Sequence, residues 1–390
     1  MSASQIPNLN TLRRGGARSR FRGRGGHESS SGGPGSAQKD RVVQGTDNDA
    51  SVSRLSAVGL GYLEDPFARS LIPQGSETRR LPIINRGTYV RTTTIDHLVA
   101  RFLGLTPDSN PIWKSKKKQI ISLGAGSDTR VFRLLSSLAP QDLIYHEIDF
   151  AVNNVAKIKA IRGTPLLQRV LGRLEDVAIS DAGEELHSSS YHVHAVDLRT
   201  LAQAQGGSES EGATSAAESL RKHVDGELPT LLLSECCLIY LSPSEADGVV
   251  RFFTQTLFPP TEKSEPLALI LYEPIRPDDA FGRTMVANLA TRGIQLQTLH
   301  KYATLGAQRR RLREQGFDAV GGQAAADVDF LWERWVAEEE KERVSGLEML
   351  DEMEEWKLLA QHYCVAWGWR DTEPARFDGW RELEQQEAEE

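Results

Sequence analysis

The segment Leu123-Gly124-Ala125-Gly126-Ser127-Asp128 closes an apolar run with two glycines, and this spacing suggests nucleotide chemistry. Glycine at Gly124 and Gly126 lets the backbone turn sharply and lets a ligand approach the main chain with no Cβ between them. Alone, a G-x-G pair suits many nucleotides. It narrows when a carboxylate follows at the end of the next strand, about 20 residues on, to hold the two hydroxyls of a ribose. Asp149 stands there, in Glu147-Ile148-Asp149-Phe150. A dinucleotide fingerprint has a third glycine three residues after Gly126, but Thr129 occupies that place, so NAD is disfavoured. S-adenosylmethionine has no pyrophosphate to seat on a helix N-terminus and needs no third glycine, and Asp128 can face its cationic methionyl end. Asp128 suits a helix N-cap equally well.

Two further acids end apolar runs, on the edge where α/β folds bind ligands. Asp197, in Val196-Asp197-Leu198-Arg199, can accept from the exocyclic amine of adenine while Leu198 packs on the ring. Glu235 interrupts Leu231-Leu232-Leu233-Ser234-Glu235-Cys236-Cys237-Leu238-Ile239-Tyr240, where a charge is costly without a partner or a ligand. Among the histidines, His97, His146, His192, His194 and His362 lie in helical or strand patterns, and only His192 and His194 sit two apart on one strand face. With no cysteine or third histidine near them in sequence, satisfied imidazoles are expected there and no metal.

These residues need a scaffold. Gln119–Leu123, Leu143–Asp149, Tyr191–Asp197, Thr230–Leu241 and Leu267–Tyr272 read as five strands separated by helical or long connections. Such alternation predicts an α/β, Rossmann-like, mostly parallel sheet covered on both faces. Helices are expected over Val90–Leu103 and Thr129–Leu138. A largely acidic helix is expected over Ser345–Tyr363, its Leu347, Leu350, Met353, Leu358 and Leu359 set against the sheet edge or forming a cap. Gln203–Ser219 reads as a surface loop or poorly ordered insertion, and Arg381–Glu390 as a charged, fraying end.

Composition bounds the rest. No apolar run approaches the roughly 20 residues of a membrane helix. The three cysteines, two of them adjacent at Cys236 and Cys237, suggest no disulfide framework, which fits a reducing compartment such as the cytoplasm. Residues 1–45 carry eight Lys/Arg against two Asp/Glu and are rich in Gly, Ser and Arg, as in Arg22-Gly23-Arg24-Gly25-Gly26. They read as a disordered, solvated tail, with RNA contact or an organellar address as the functional alternatives. The remainder, with 38 Lys/Arg against 52 Asp/Glu, is acidic, which argues against a nucleic-acid-binding surface. Residues 46–380 are expected to form one domain, and the chain to act as a monomer.

Six segments in order carry a resemblance spanning Ala50 to Trp369. They are Gly59-Leu60-Gly61-Tyr62-Leu63-Glu64-Asp65-Pro66-Phe67, Asn85-Arg86-Gly87, the Gly124 loop, Glu147-Ile148-Asp149-Phe150, Asp197-Leu198-Arg199 and Ser234-Glu235-Cys236. Together they resemble the leucine carboxyl methyltransferase family, whose members methylate the C-terminal leucine of the protein phosphatase 2A catalytic subunit. The resemblance implies a Rossmann-like methyltransferase fold with a helical cap or insertion, S-adenosylmethionine as cofactor and that phosphatase subunit as partner. It also implies residue roles: Arg91 for the cofactor carboxylate, Gly124 for a backbone contact, Asp149 for ribose, Asp197 with Leu198 for adenine, and Glu235 for the methionyl ammonium. Arg54 matches a family lysine at the active site, and Tyr240 matches a tyrosine near the reacting centre. Arg54 keeps the charge but replaces a compact ammonium with a planar fork. Arg54, Arg91 and Tyr240 are therefore the expected catalytic set. The wybutosine-synthesising tRNA methyltransferases resemble the same domain but add a propeller-like region, and no repeated strand blocks occur here. A non-catalytic phosphatase-binding protein would be expected to lose the cofactor acids, whereas Asp149, Asp197 and Glu235 are all retained.

Overall fold

The computed structural model describes residues 34–73, 75–138, 142–207, 210–317, 322–371 and 374–387. Its centre is a nine-stranded sheet: β1 (Lys118–Leu123), β2 (Leu143–Asp149), β3 (Ala178–Ile179), β4 (Leu186–His187), β5 (Tyr191–Ala195), β6 (Thr230–Glu235), β7 (Leu267–Pro274), β8 (Gly322–Asp327) and β9 (Tyr363–Arg370). The spatial order is β3-β4-β5-β2-β1-β6-β7-β9-β8. The five expected strands are its parallel heart, β5-β2-β1-β6-β7, with helices in the connections. β1 and β2 are buried along their whole length, because helices lie on both faces. The strand alternation divides the core accordingly: Ile120, Leu231 and Ile270 face one cluster, while Ile121, Leu232 and Leu271 face the other. The Rossmann-like α/β expectation is met.

Four strands were not expected. β9 runs antiparallel between β7 and β8, and its buried Trp367 and Trp369 lie opposite Ala324 and Gly322 of β8. β3 and β4 form a short antiparallel edge beside β5.

Three expectations about connecting segments are corrected. The tail boundary at 45 is too late: α1 (Pro34–Gln44) and α2 (Thr46–Gly59) are helices, and Asp40 of α1 is anchored by a bidentate pair with Arg199 at 2.9 and 3.0 Å. Residues 1–33 lie outside the described residues. Over the described part of Gln203–Ser219 the chain is largely helical: Leu198–Gln205 is one helix and Glu211–His223 another, capped by the Ser210 hydroxyl and burying Ala213, Ala217 and Leu220. Small residues with a good cap made this segment look loop-like by composition. Ser345–Tyr363 is not one helix. Glu338–Ser345 and Met353–Gln361 are separate, and the second buries Trp356 and Ala360 while Met353 and Leu358 remain exposed. It packs on α3 (Pro82–Leu103), the long helix expected over Val90–Leu103, which begins a turn or more earlier behind Pro82. The chain end is also tied down: the Gln386 side chain accepts from Asp327 N (2.8 Å) and donates to Asp327 Oδ2 (3.1 Å).

Among the described residues, no helix is long and apolar enough to cross a membrane.

Candidate active site

In the parallel sheet, connections from β1 lead outward to β2 on one side, while β6 lies on the other, so the crevice at their carboxyl ends is the topological switch point. The Gly124 loop leaves β1 there. Gly124 and Gly126 have φ of +64° and +46°, in the region L side chains avoid. A Cβ on Gly124 would lie 2.5 Å from Cys237 Sγ, and one on Gly126 would lie 2.3 Å from Asp47 Oδ1. A Cβ at either position would strain the backbone and force a neighbouring side chain to move.

Asp149 closes β2 beside this loop. Its Oδ2 accepts from Gly126 N (2.7 Å), and its Oδ1 accepts from Phe150 N (2.7 Å) and Asn153 Nδ2 (2.9 Å). Burial raises its pKa although these donors pull it down. Asp47 of α2 covers the loop from above, its Oδ1 accepting from Ser127 N and Ser127 Oγ at 2.7 Å each. Asp197 caps the helix Leu198–Gln205 by accepting from Arg199 N (2.9 Å), and it also holds the Arg199 guanidinium. Leu198 is buried at the same cavity.

Glu235 is the electrostatic centre. Arg91 Nε and Nη2 both lie 2.7 Å from its Oε2, and Arg130 Nη1 lies 2.7 Å from its Oε1. Arg130 is almost fully buried and also reaches Asp96 Oδ1 (2.8 Å) and Asp128 Oδ2 (2.6 Å). It thereby ties together α3, the glycine loop and β6. Burial alone would raise the pKa of Glu235, but Arg130 and Arg91 overcome it and hold the carboxyl below its usual range. Asp128 behaves likewise under Arg130 and Arg54; the helix that follows has Thr129 rather than Asp128 at its N-cap, although Asp128 Oδ1 accepts from Arg130 N (3.1 Å) at its first residue.

Arg54 lies between two carboxylates at longer range, 3.4 Å from Asp65 Oδ2 and 3.5 Å from Asp128 Oδ1, so much of its hydrogen-bonding capacity is uncommitted. Tyr240 follows β6 on the single turn Leu238–Tyr240, and burial raises its phenol pKa well above the ordinary value. Between Glu235 and this turn, Cys236 has φ of +49°, an uncommon backbone state for a residue with a side chain and a cost the surrounding packing must hold. Burial raises the Cys236 thiol to about 12.

Arg54, Arg91, Gly124, Asp149, Asp197, Leu198, Glu235 and Tyr240 all line one cavity of about 770 Å³. Every site residue chosen from the sequence is therefore brought together. The glycine cradle, with a strand-end carboxylate beside it and a charged pair at its far side, fits a nucleoside carrying a zwitterionic tail. Sequence reasoning missed Asp47, Asp40 and Arg130. The first two lay at or beside a segment read as tail, and the third is an arginine in an ordinary helical pattern, so no local signal marked it. Sequence reasoning also left His192 and His194 without further imidazoles, whereas the fold brings His187 and His223 beside His192, their ligand atoms mutually within 4.8 Å.

Comparison with known proteins assigns the chain. A family model described as leucine carboxyl methyltransferase matches residues 50–254. The chain is 75% identical to leucine carboxyl methyltransferase 1 of Emericella nidulans over 390 residues, covering all of both chains. It is 65% identical to the protein of the same name from Aspergillus fumigatus over 408 aligned positions, covering 99% of each. The protein of that name in Schizosaccharomyces pombe is 40% identical over 320 residues, covering 82% of this chain and 92% of its own. With a matching family model across more than half its length and relatives aligned along the whole of it, this chain belongs to the leucine carboxyl methyltransferase family.

Proposed function

We propose that this protein transfers the methyl group of S-adenosylmethionine to the α-carboxylate of the C-terminal leucine of the protein phosphatase 2A catalytic subunit, forming a leucine methyl ester. It does so as a monomer in the cytoplasm. The observation that carries the reading is the convergence of Arg54, Arg91 and Tyr240 with the glycine cradle and its acids on one cavity. Leu289, Ile294 and Leu359 line the same cavity and suit an apolar side chain.

When bound, S-adenosylmethionine supplies a methyl group on a cationic sulfur that leaves as a neutral thioether. Asp149 takes the ribose hydroxyls, Asp197 and Leu198 take adenine, and the Gly124 backbone passes close without a Cβ. The Arg91–Glu235 pair matches the zwitterionic end by exchange: Glu235 receives the ammonium and Arg91 the carboxylate, so no buried charge is left alone. A peptide α-carboxylate has a pKa of roughly 3.5 and is already ionised at neutral pH, so no general base is required. The task of the chain is orientation, which can supply roughly 7–11 kcal/mol of barrier reduction. Arg54, less committed than Arg91, holds the substrate carboxylate, and Tyr240 remains protonated and donates. Burial keeps the Cys236 and Cys237 thiols protonated, which protects them from taking the methyl group themselves.

The test is transfer of labelled methyl from S-adenosylmethionine to the phosphatase catalytic subunit, to the same subunit lacking its terminal leucine, and to tRNA. Base-labile label is expected on the first alone. Equal labelling with and without the leucine would overturn the reading.

A further inference from the structure

Five of the nine histidines gather at one place, and none of them lines the cofactor cavity. His146 of β2, His192 of β5 and His187 of β4 occupy paired register positions, and His194 lies two residues along β5. Paired residues and i, i+2 residues share a sheet face, so four imidazoles form a row across three adjacent strands. His223, the last residue of the helix Glu211–His223, covers the row, its ring stacked 3.9 Å from that of His187. His187 Nδ1 and His192 Nδ1 are 3.2 Å apart.

Hydrogen bonding fixes how the protons are arranged behind this face. Gln119 Oε1 accepts from Asp225 N (3.0 Å), and its amide nitrogen donates to Asp225 O and to Thr230 Oγ1, so the amide orientation is determined. His146 Nε2, 3.1 Å from that same Oε1, must therefore be the donor. In a neutral ring His146 Nδ1 then accepts, and the proton between it and His194 Nε2 (3.1 Å) belongs to His194. The remaining nitrogen, His194 Nδ1, carries a bare lone pair. It is fully buried and has no hydrogen-bond partner. This leaves an unpaired nitrogen on the same buried face, although His194 is not one of the three residues whose ligand atoms converge.

We propose that His187, His192 and His223 bind a divalent transition-metal ion, zinc being the ion they suit, with the buried His194 beside them. Three imidazoles with no carboxylate in the set favour zinc, copper or nickel over calcium or magnesium, which take oxygen. Zinc–nitrogen distances of about 2.0–2.1 Å in a tetrahedron place ligand nitrogens about 3.4 Å apart. The His187–His192 pair already meets this spacing. His223 completes the set by turning its ring out of the stack so that an in-plane lone pair meets the ion, a change open to a partly exposed residue at a helix end. A bound ion would link the β4–β5 edge and the helix Glu211–His223.

The test uses full-length, untagged protein stripped by chelator, titrated with zinc against a chromophoric chelator and, separately, with cobalt as a spectroscopic probe. One ion per chain and a tetrahedral cobalt spectrum are expected. His187→Ala and His223→Ala should each weaken binding by more than about 100-fold, since even an outer-sphere change near a metal costs roughly 10–100-fold. The control His300→Ala should leave it unchanged. Circular dichroism and retained methyl transfer establish that each variant is folded, and His223→Gln provides a milder version of the same change. No saturable site at one equivalent, or unchanged affinity in folded His187 and His223 variants, overturns the proposal.

Discussion

Glu235→Gln isolates the charge at the centre of the site while keeping side-chain volume. In the free protein the carboxylate accepts from Arg91 and Arg130, all at 2.7 Å, and under the proposed function it receives the cofactor ammonium instead. A hydrogen bond to a charged group is worth about 1.5–3 kcal/mol. At 1.36 kcal/mol per factor of ten, losing it predicts roughly 10- to 150-fold weaker binding of both S-adenosylmethionine and S-adenosylhomocysteine, which share that ammonium. Adenosine, which lacks the tail, should bind unchanged. Breaking a buried ion pair costs about 3–5 kcal/mol of stability. The expected loss here is smaller, about 2 kcal/mol, because Arg130 keeps Asp96 and Asp128 and the Arg91 side chain reaches solvent. Calorimetric titration with the three ligands, beside a denaturant melt, separates the two effects. A folded variant that binds S-adenosylmethionine as tightly as the parent would falsify the placement of the ammonium at Glu235.

Gly124→Ala combines a left-handed backbone with a Cβ too close to Cys237, so a stability loss of about 1–3 kcal/mol is expected in a chemical melt, together with loss of cofactor binding. Deleting residues 1–33 should leave cofactor affinity intact, whereas deleting 1–44 removes the Asp40–Arg199 pair and a cavity wall and should weaken binding, as measured by calorimetry. For pH, burial opposes ionisation of Asp96, Asp128 and Glu235, but neighbouring arginines hold their pKa values below the unfolded ones. Their contribution to stability is thus complete above about pH 4–5 and lost as pH falls through the folded values. Asp149 and Glu147, with raised values, carry the opposite sign and offset part of this. Thermal melts from pH 3 to pH 8 should show a steep fall only at the acid end, and cofactor affinity should be flat from about pH 6 to pH 8.

The parallel heart was legible because a strand buried on both faces must be an unbroken apolar run, and acids that end such runs stand out as costs in need of a reason. Asp149, Asp197 and Glu235 were found that way. Arg130 was not, since its importance arises only when α3, the loop and β6 bring Asp96, Asp128 and Glu235 to one guanidinium. α1 was hidden by the Gly/Arg-rich composition that precedes it, and its order comes from a tertiary contact rather than from propensity. The histidine row depended on strand register: His187 and His192 are five apart in sequence but directly opposed across β4 and β5, and only the short turn between them makes the match.

The position of β9 has a consequence for biosynthesis. It is the last strand of the described chain to leave the ribosome, yet it fills the gap between β7 and β8. Until it arrives, a nascent chain carries two unsatisfied strand edges, the inner one made of Leu267–Leu271, among the most apolar segments in the molecule. Open edges of this kind template pairing with other chains. Premature termination before Tyr363 would therefore yield a product with its cofactor loop intact but a strong tendency to aggregate, so loss of this short tryptophan-rich segment would be felt first as loss of protein abundance.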